Sequence, residues 1–265
     1  MIDFGIEYEL ADFNTQQKLA PCFNLDDKDY TIVNSDGTAN DPKHKKNIYG
    51  GELTTIPGNI EEQLEYFKQL PKDSTINYRC NLHVHIKDTE LLESEVDAYI
   101  TYSKRSQDLI TLFFDDVASL DFEFIGDDRV CQKRANHSKQ SHRNLLSSKQ
   151  KEIMYSANTK EEFFDSEYPV DKNGRLVKII PRSCINMRPL QTIGTIEYRL
   201  FWGVENIKSL EAVLLFVKYF HDLCMHYSKA KELALLCWVS KYADILPKPK
   251  PIYSELEESY QRTKG

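Results

Sequence analysis

INYRCNLHVHI, residues 76–86, alternates from end to end. Ile76, Tyr78, Cys80, Leu82, Val84 and Ile86 take one side, and Asn77, Arg79, Asn81, His83 and His85 take the other. Successive side chains on a strand point to opposite faces, so this stretch is read as a strand with one apolar and one polar face. The N-terminal stretch MIDFGIEYEL does the same. Ile2, Phe4, Ile6, Tyr8 and Leu10 share one face, and Asp3, Gly5, Glu7 and Glu9 share the other. Residues 50–55, GGELTT, read as a shorter strand stopped by Pro57, and residues 179–188 with 195–202 read as a strand pair joined by the Pro189–Gly194 segment. Strands that are apolar on a single face suit an antiparallel sheet with one face on a core.

The helical segments fall between these strands without regular alternation. Asn59 followed by Glu62 is a capped helix start, continued by Ile60, Leu64 and Phe67. Residues 89–114 read as one long helix. Leu210, Val213, Leu214, Val217, Phe220 and Cys224 recur at helical spacing among apolar neighbours, which predicts a buried helix. Irregular order of this kind predicts an α+β fold with a largely antiparallel sheet, not a doubly wound one. The stretch 115–171 is polar and rich in Lys, Arg, Ser and Asn, and is read as an insertion of short helices and loops. Asn34-Ser35-Asp36-Gly37 and Asn173-Gly174 are turn signals. The tail with Pro247, Pro249 and Pro251 is read as peripheral.

Bulk properties narrow the function classes. The chain has 265 residues, 41% hydrophobic and 28% charged, enough to bury a sizeable core. A net charge of −7 argues against a broad nucleic-acid-binding surface. No apolar run approaches the roughly 20 residues that span a bilayer, and the first residues have neither the basic nor the apolar region of a signal peptide. The six cysteines form no C-x-x-C pair, so they are read as reduced thiols, and the chain as cytoplasmic. There is no G-x-x-x-x-G-K-[ST] loop and no G-x-G-x-x-G turn for phosphate.

The polar faces carry the chemistry. Glu7 and Glu9 leave one strand face, His83 and His85 a second (extended by Asn81 and Arg79), and Glu197 and Arg199 a third. Carboxylate and imidazole are ligands for divalent cations, and guanidinium suits phosphate. Each set has an ordinary reading as well. Glu7 and Glu9 fit the wet face of an edge strand, the two histidines fit a half-buried polar face, and Glu197 with Arg199 fits a cross-strand charge pair. Asp36, Glu52, Arg182, Asn186 and Arg188 are uninformative singly.

Taken together and in order, the motifs resemble a family. GIEYEL (5–10) is similar to the opening strand of the amidoligases and of their relatives among the carboxylate–amine ligases, glutamine synthetase and glutamate–cysteine ligase. SDGTAN (35–40) with GGELTTIP (50–57), NLHVHI (81–86) and INMRPLQTIGTIEYRLFWG (185–203) resemble the later blocks. Residues 88–180 carry no such likeness, and Asn81 stands where relatives commonly have Gly. The resemblance implies a single catalytic domain over residues 1–265, in which a curved antiparallel sheet backed by helices forms a cleft. It implies Mg²⁺, with Mn²⁺ as a substitute, and ATP. Glu9 and Glu52 would hold one ion, and Glu7, His83 and Glu197 a second. His85 and Arg199 would meet the phosphates, and Arg182, Asn186 and Arg188 would bind phosphate or a substrate carboxylate. Asp36 would orient or deprotonate the amine. The implied reaction joins a carboxylate to an amine through an acyl phosphate. The substrate classes are amino acids, short peptides, a protein tail or a modified nucleotide. A metal-dependent phosphotransferase or hydrolase, and an inactive binding module, are the alternative readings of the same residues.

Overall fold

The computed structural model describes residues 2–10, 20–24, 51–72, 81–114, 118–119, 144–146, 148–166 and 183–242. Asp36, Arg182, the two turn signals and the proline-bearing tail lie outside these residues. The main sheet contains β1 (Asp3–Leu10), β2 (Phe23–Asn24), β3 (Gly51–Thr55), β4 (Asn81–Lys87), β7 (Ile185–Asn186) and β8 (Thr195–Trp202). Its order is β2-β3-β1-β4-β8-β7, with every neighbouring pair antiparallel. The sheet is open, with β2 and β7 at its two edges. Two short strands, β5 (Ala118–Ser119) and β6 (Asn144–Leu145), pair in parallel apart from it. The predicted α+β class and antiparallel sheet are thus present.

The alternation read from the sequence sets which face meets the core. Phe4, Ile6, Tyr8 and Leu10 of β1, Leu82, Val84 and Ile86 of β4, and Ile196, Tyr198 and Leu200 of β8 are all buried. Helix α7 (Ile207–Met225) brings Leu210, Val213, Leu214, Val217 and Phe220 into the same core, with Phe220 edge-on to Tyr198 and Phe216 edge-on to Phe201. Burying an aliphatic or aromatic side chain contributes roughly 1.5–3 kcal/mol, so the helix is held by its packing.

Helix α1 (Ile60–Phe67) starts at the predicted capping box. The Asn59 side chain accepts from Glu62 N, and the Glu62 carboxylate accepts from Asn59 N. Buried Gln63 then ties the helix to two strands. Its amide donates to the carbonyls of Phe4 and Ile56 and accepts from the Thr55 hydroxyl.

The helix predicted over 89–114 is two helices, α2 (Thr89–Glu93) and α3 (Val96–Phe113). The break falls at Ser94, whose hydroxyl turns back to the Glu90 carbonyl while its backbone goes extended. Local back-bonding of this kind competes with helix propagation. Helices α4 (Ser148–Met154) and α5 (Lys160–Asp165) occupy part of the polar insertion. Helix α8 (Lys229–Ser240) follows α7. None of the described helices is long and apolar enough to cross a membrane. Cys22 and Cys224, both buried, are free thiols.

The strand predicted over 179–188 is shorter among the described residues. β7 holds only Ile185 and Asn186, and Arg188 caps the start of α6 (Pro189–Thr192) in helical conformation. Pro189 is the cause, since its fixed φ suits the first turn of a helix. Gly194 closes the connection at φ 73, in the left-handed region that a Cβ disfavours.

Candidate metal centre

The register of the sheet gathers the polar side chains. Glu7 lies opposite His83, Glu9 opposite Glu52, His85 opposite Glu197, and Glu197 opposite Asn186. Five strands therefore deliver residues far apart in sequence to one face. β8 also contains an irregularity. Leu82 pairs with Phe201 and Val84 with Tyr198, so β8 holds one more residue than β4 over this interval. Such a bulge turns the following residues over. Phe201 consequently joins the core, while Glu197 and Arg199 stay on the face that carries His83.

His83 is the hub. Its ring is buried, and its Nδ1 lies 3.0 Å from Glu7 Oε2, 3.5 Å from Glu197 Oε1 and 3.5 Å from Arg199 Nη1. Its Nε2 is 3.7 Å from Glu9 Oε1 and has no hydrogen-bond partner among the described residues. Ligand atoms of Glu7, His83 and Glu197 lie within 4.8 Å of one another, and so do those of Glu9, Glu52 and His83.

Each carboxylate is steered by a neighbour. The Arg199 guanidinium contacts Glu197 Oε1, and Asn186 Nδ2 donates to Glu197 Oε2 at 2.7 Å. Glu9 Oε2 accepts from both the backbone N and the side-chain amide of Asn81, at 2.8 and 2.7 Å. Glu7 Oε1 is 3.0 Å from His85 Nε2, out of line for a hydrogen bond, and His85 Nδ1 shares a 3.0 Å contact with the Thr195 hydroxyl.

Burial alone would raise the Glu7 carboxyl, but the hydrogen bond from His83, the close contact with His85 and the charge of both rings outweigh it and hold the group far below the usual carboxylate range. Burial alone would lower His85. Its contact with Glu7, aided by the charge of Glu197, instead lifts it above an ordinary imidazole against the opposing charge of Arg199.

This donor set fits a hard divalent cation. Carboxylate oxygens dominate both groups, the single imidazole admits Mn²⁺ beside Mg²⁺, and a buried unpartnered nitrogen faces one carboxylate pair. The structure brings together Glu7, Glu9, Glu52, His83, His85, Glu197, Arg199 and Asn186. Arg188 departs from the expected strand face: its Nη1 donates to the Phe164 carbonyl at 3.4 Å. Asn186 is turned to Glu197, and its Oδ1 accepts from Arg188 N. Thr195 and the role of Asn81 escaped the sequence reading. The available signal was parity, since Asn81 shares the face of His83, and Thr195 that of Glu197. No family model, curated protein or solved structure matches this chain.

Proposed function

We propose that this chain is an ATP-dependent carboxylate–amine ligase of the amidoligase kind, forming an amide bond through an acyl phosphate. The observation that carries the reading is the convergence of Glu7, Glu9, Glu52 and Glu197 on one buried histidine, with Arg199 beside them. Strand residues gathered at this density leave a local excess of negative charge, which an ordinary solvated sheet face does not collect. In this reading the sheet is the wall of a glutamine-synthetase-like cleft.

Glu7, His83 and Glu197 would hold one Mg²⁺, and Glu9 with Glu52 the other. When bound, the ions neutralise charge on the ATP phosphates. The protein's own part is placement. Arg199 offers a planar fork to phosphoryl oxygens, and Glu197 aims that fork by contact with it. Thr195 fixes the ring of His85, which stands beside Glu7 as a second phosphoryl contact.

The substrate carboxylate attacks the γ-phosphorus, the β–γ bridging P–O bond breaks, and ADP leaves. The amine then attacks the acyl carbon, its proton passes to a base, and the C–O bond to phosphate breaks. Positioning and exclusion of water account for most of the catalysis in such a scheme, because water would consume the acyl phosphate.

The test is product analysis by mass spectrometry with ATP, Mg²⁺ and panels of carboxylates and amines. A ligase forms ADP when a carboxylate acceptor is present and an amide when an amine is added, and hydroxylamine traps a hydroxamate. ADP and phosphate released without any carboxylate would favour a phosphotransferase or hydrolase. AMP and pyrophosphate would overturn the acyl-phosphate route.

A further inference from the structure

We infer that Asn81 makes Glu9 a one-oxygen ligand and thereby tunes the Glu9–Glu52 cation site, which lies beside His83 Nε2, to a small octahedral cation, Mg²⁺ or Mn²⁺, against Ca²⁺. The inference rests on the metal site of the ligase reading and adds a selectivity to it.

Glu9 is almost fully enclosed, at 5% exposure. Its Oε2 accepts two hydrogen bonds from Asn81, from the backbone N at 2.8 Å and from Nδ2 at 2.7 Å. A carboxylate oxygen has two lone-pair sites, and both are filled here. Chelation by both oxygens of Glu9 would require breaking one of these bonds to an almost fully buried carboxylate. Oε1 is the oxygen turned toward His83, 3.7 Å from Nε2. That nitrogen belongs to a ring at 2% exposure and has no hydrogen-bond partner among the described residues. A buried unpartnered nitrogen aimed at a carboxylate pair is an independent sign of a ligand between them.

Cation chemistry supplies the consequence. Mg²⁺ takes six ligands at short, near-octahedral distances, and one oxygen from each carboxylate serves it well. Ca²⁺ takes more oxygens at longer range and commonly uses both oxygens of a carboxylate. A Glu9 held to one oxygen therefore costs Ca²⁺ a ligand and costs Mg²⁺ none. Asn186 repeats the device across the site, donating to Glu197 Oε2 while Oε1 faces His83 Nδ1. It supplies one donor where Asn81 supplies two, so the tighter constraint is at Glu9.

The test measures Mn²⁺ binding to the full chain by electron paramagnetic resonance of the free ion, with Mg²⁺ and Ca²⁺ as competitors. In the wild type, Ca²⁺ should compete more weakly than Mg²⁺. Asn81→Gly removes the amide donor and returns one lone pair to Oε2. It should keep Mn²⁺ binding and narrow the Mn²⁺/Ca²⁺ preference by about tenfold, the low end of outer-contact effects on metal sites. Asn81→Ala serves as a second variant, and a thermal melt checks that each is folded. An unchanged ratio in a folded variant overturns the inference, as does a wild type that binds Ca²⁺ as tightly as Mn²⁺. That second outcome decides the matter even if neither variant folds. A wild type that takes up no Mn²⁺ overturns both the inference and the ligase reading. Selective Mn²⁺ binding without ADP formation upholds the inference and removes the ligase reading alone.

Discussion

Removing two buried hydroxyls from the core should cost far more together than singly. Tyr198 lies between Glu197 and Arg199 on β8 but points to the opposite face, where its hydroxyl meets that of Tyr102. Both hydroxyls reach His221 Nδ1, Tyr102 at 2.9 Å and Tyr198 at 3.2 Å. His221 Nε2 is 2.6 Å from Asp88 Oδ2, and Asp88 Oδ1 caps α2. In the neutral ring, Nε2–H donates to Asp88 and Nδ1 accepts from a tyrosine. Tyr102→Phe leaves Tyr198 to supply that donor, and Tyr198→Phe leaves Tyr102. Each single variant then loses about one net hydrogen bond, or about 1 kcal/mol. The double variant strips Nδ1 of both donors on a ring at 1% exposure. An orphaned buried acceptor costs about 1–3 kcal/mol in addition, so the double variant should lose about 3–5 kcal/mol, with about 1–3 kcal/mol of coupling. Urea denaturation of the four proteins, followed by the fluorescence of Trp202 and Trp238, gives the cycle. A double variant within about 0.5 kcal/mol of the sum, the usual additivity of independent sites, would refute the shared-acceptor reasoning.

Three further outcomes are expected. Arg199→Lys keeps a positive charge beside Glu197 and should fold, but lose turnover by on the order of 10²-fold because the fork to developing charge is gone; a folded variant with wild-type turnover in single-turnover assays removes Arg199 from the chemistry. Mn²⁺ at a hundred times its Kd should stabilise the chain by about 2.7 kcal/mol, raising Tm by about 5–10 °C; equal melts in Mn²⁺ and EDTA would sink the metal centre. Asp88 is held below its ordinary value, first by its hydrogen bond to His221 and against partial burial. Its stabilisation is therefore present above the unfolded value near 3.8 and is lost as pH falls through the folded one. Between pH 5 and pH 2, Asp88→Asn should lose less stability than the wild type in urea midpoints; parallel acid limbs would contradict this.

Period-two alternation made β1, β4 and the start of β8 legible, because a strand with one buried face must repeat every second residue. The capping pair Asn59 and Glu62 was legible because its spacing is fixed by the helix itself. The convergence on His83 was not a property of any single strand. Glu9 opposite Glu52 and Glu7 opposite His83 are facts of register between segments distant in sequence, and only the ordered likeness of the motifs suggested them. The Asp88–His221 contact joins residues 133 apart and left no local trace. Neither did the choice of Asn81 and Asn186 to donate to carboxylates, since an amide takes whichever acceptor the register presents. One missed feature did leave a sign. Leu200, Phe201 and Trp202 are three consecutive apolar residues at the end of an otherwise alternating strand. Strict alternation would set Phe201 beside Glu197 and Arg199, on the face of His83. The bulge resolves the conflict by sending Phe201 into the core opposite Leu82. Its position after Arg199 is what allows a charged pair and an aromatic anchor to occupy adjacent turns of the pleat. The same apolar run that blurred the strand pattern is therefore what pins the Arg199 end of the site to the core.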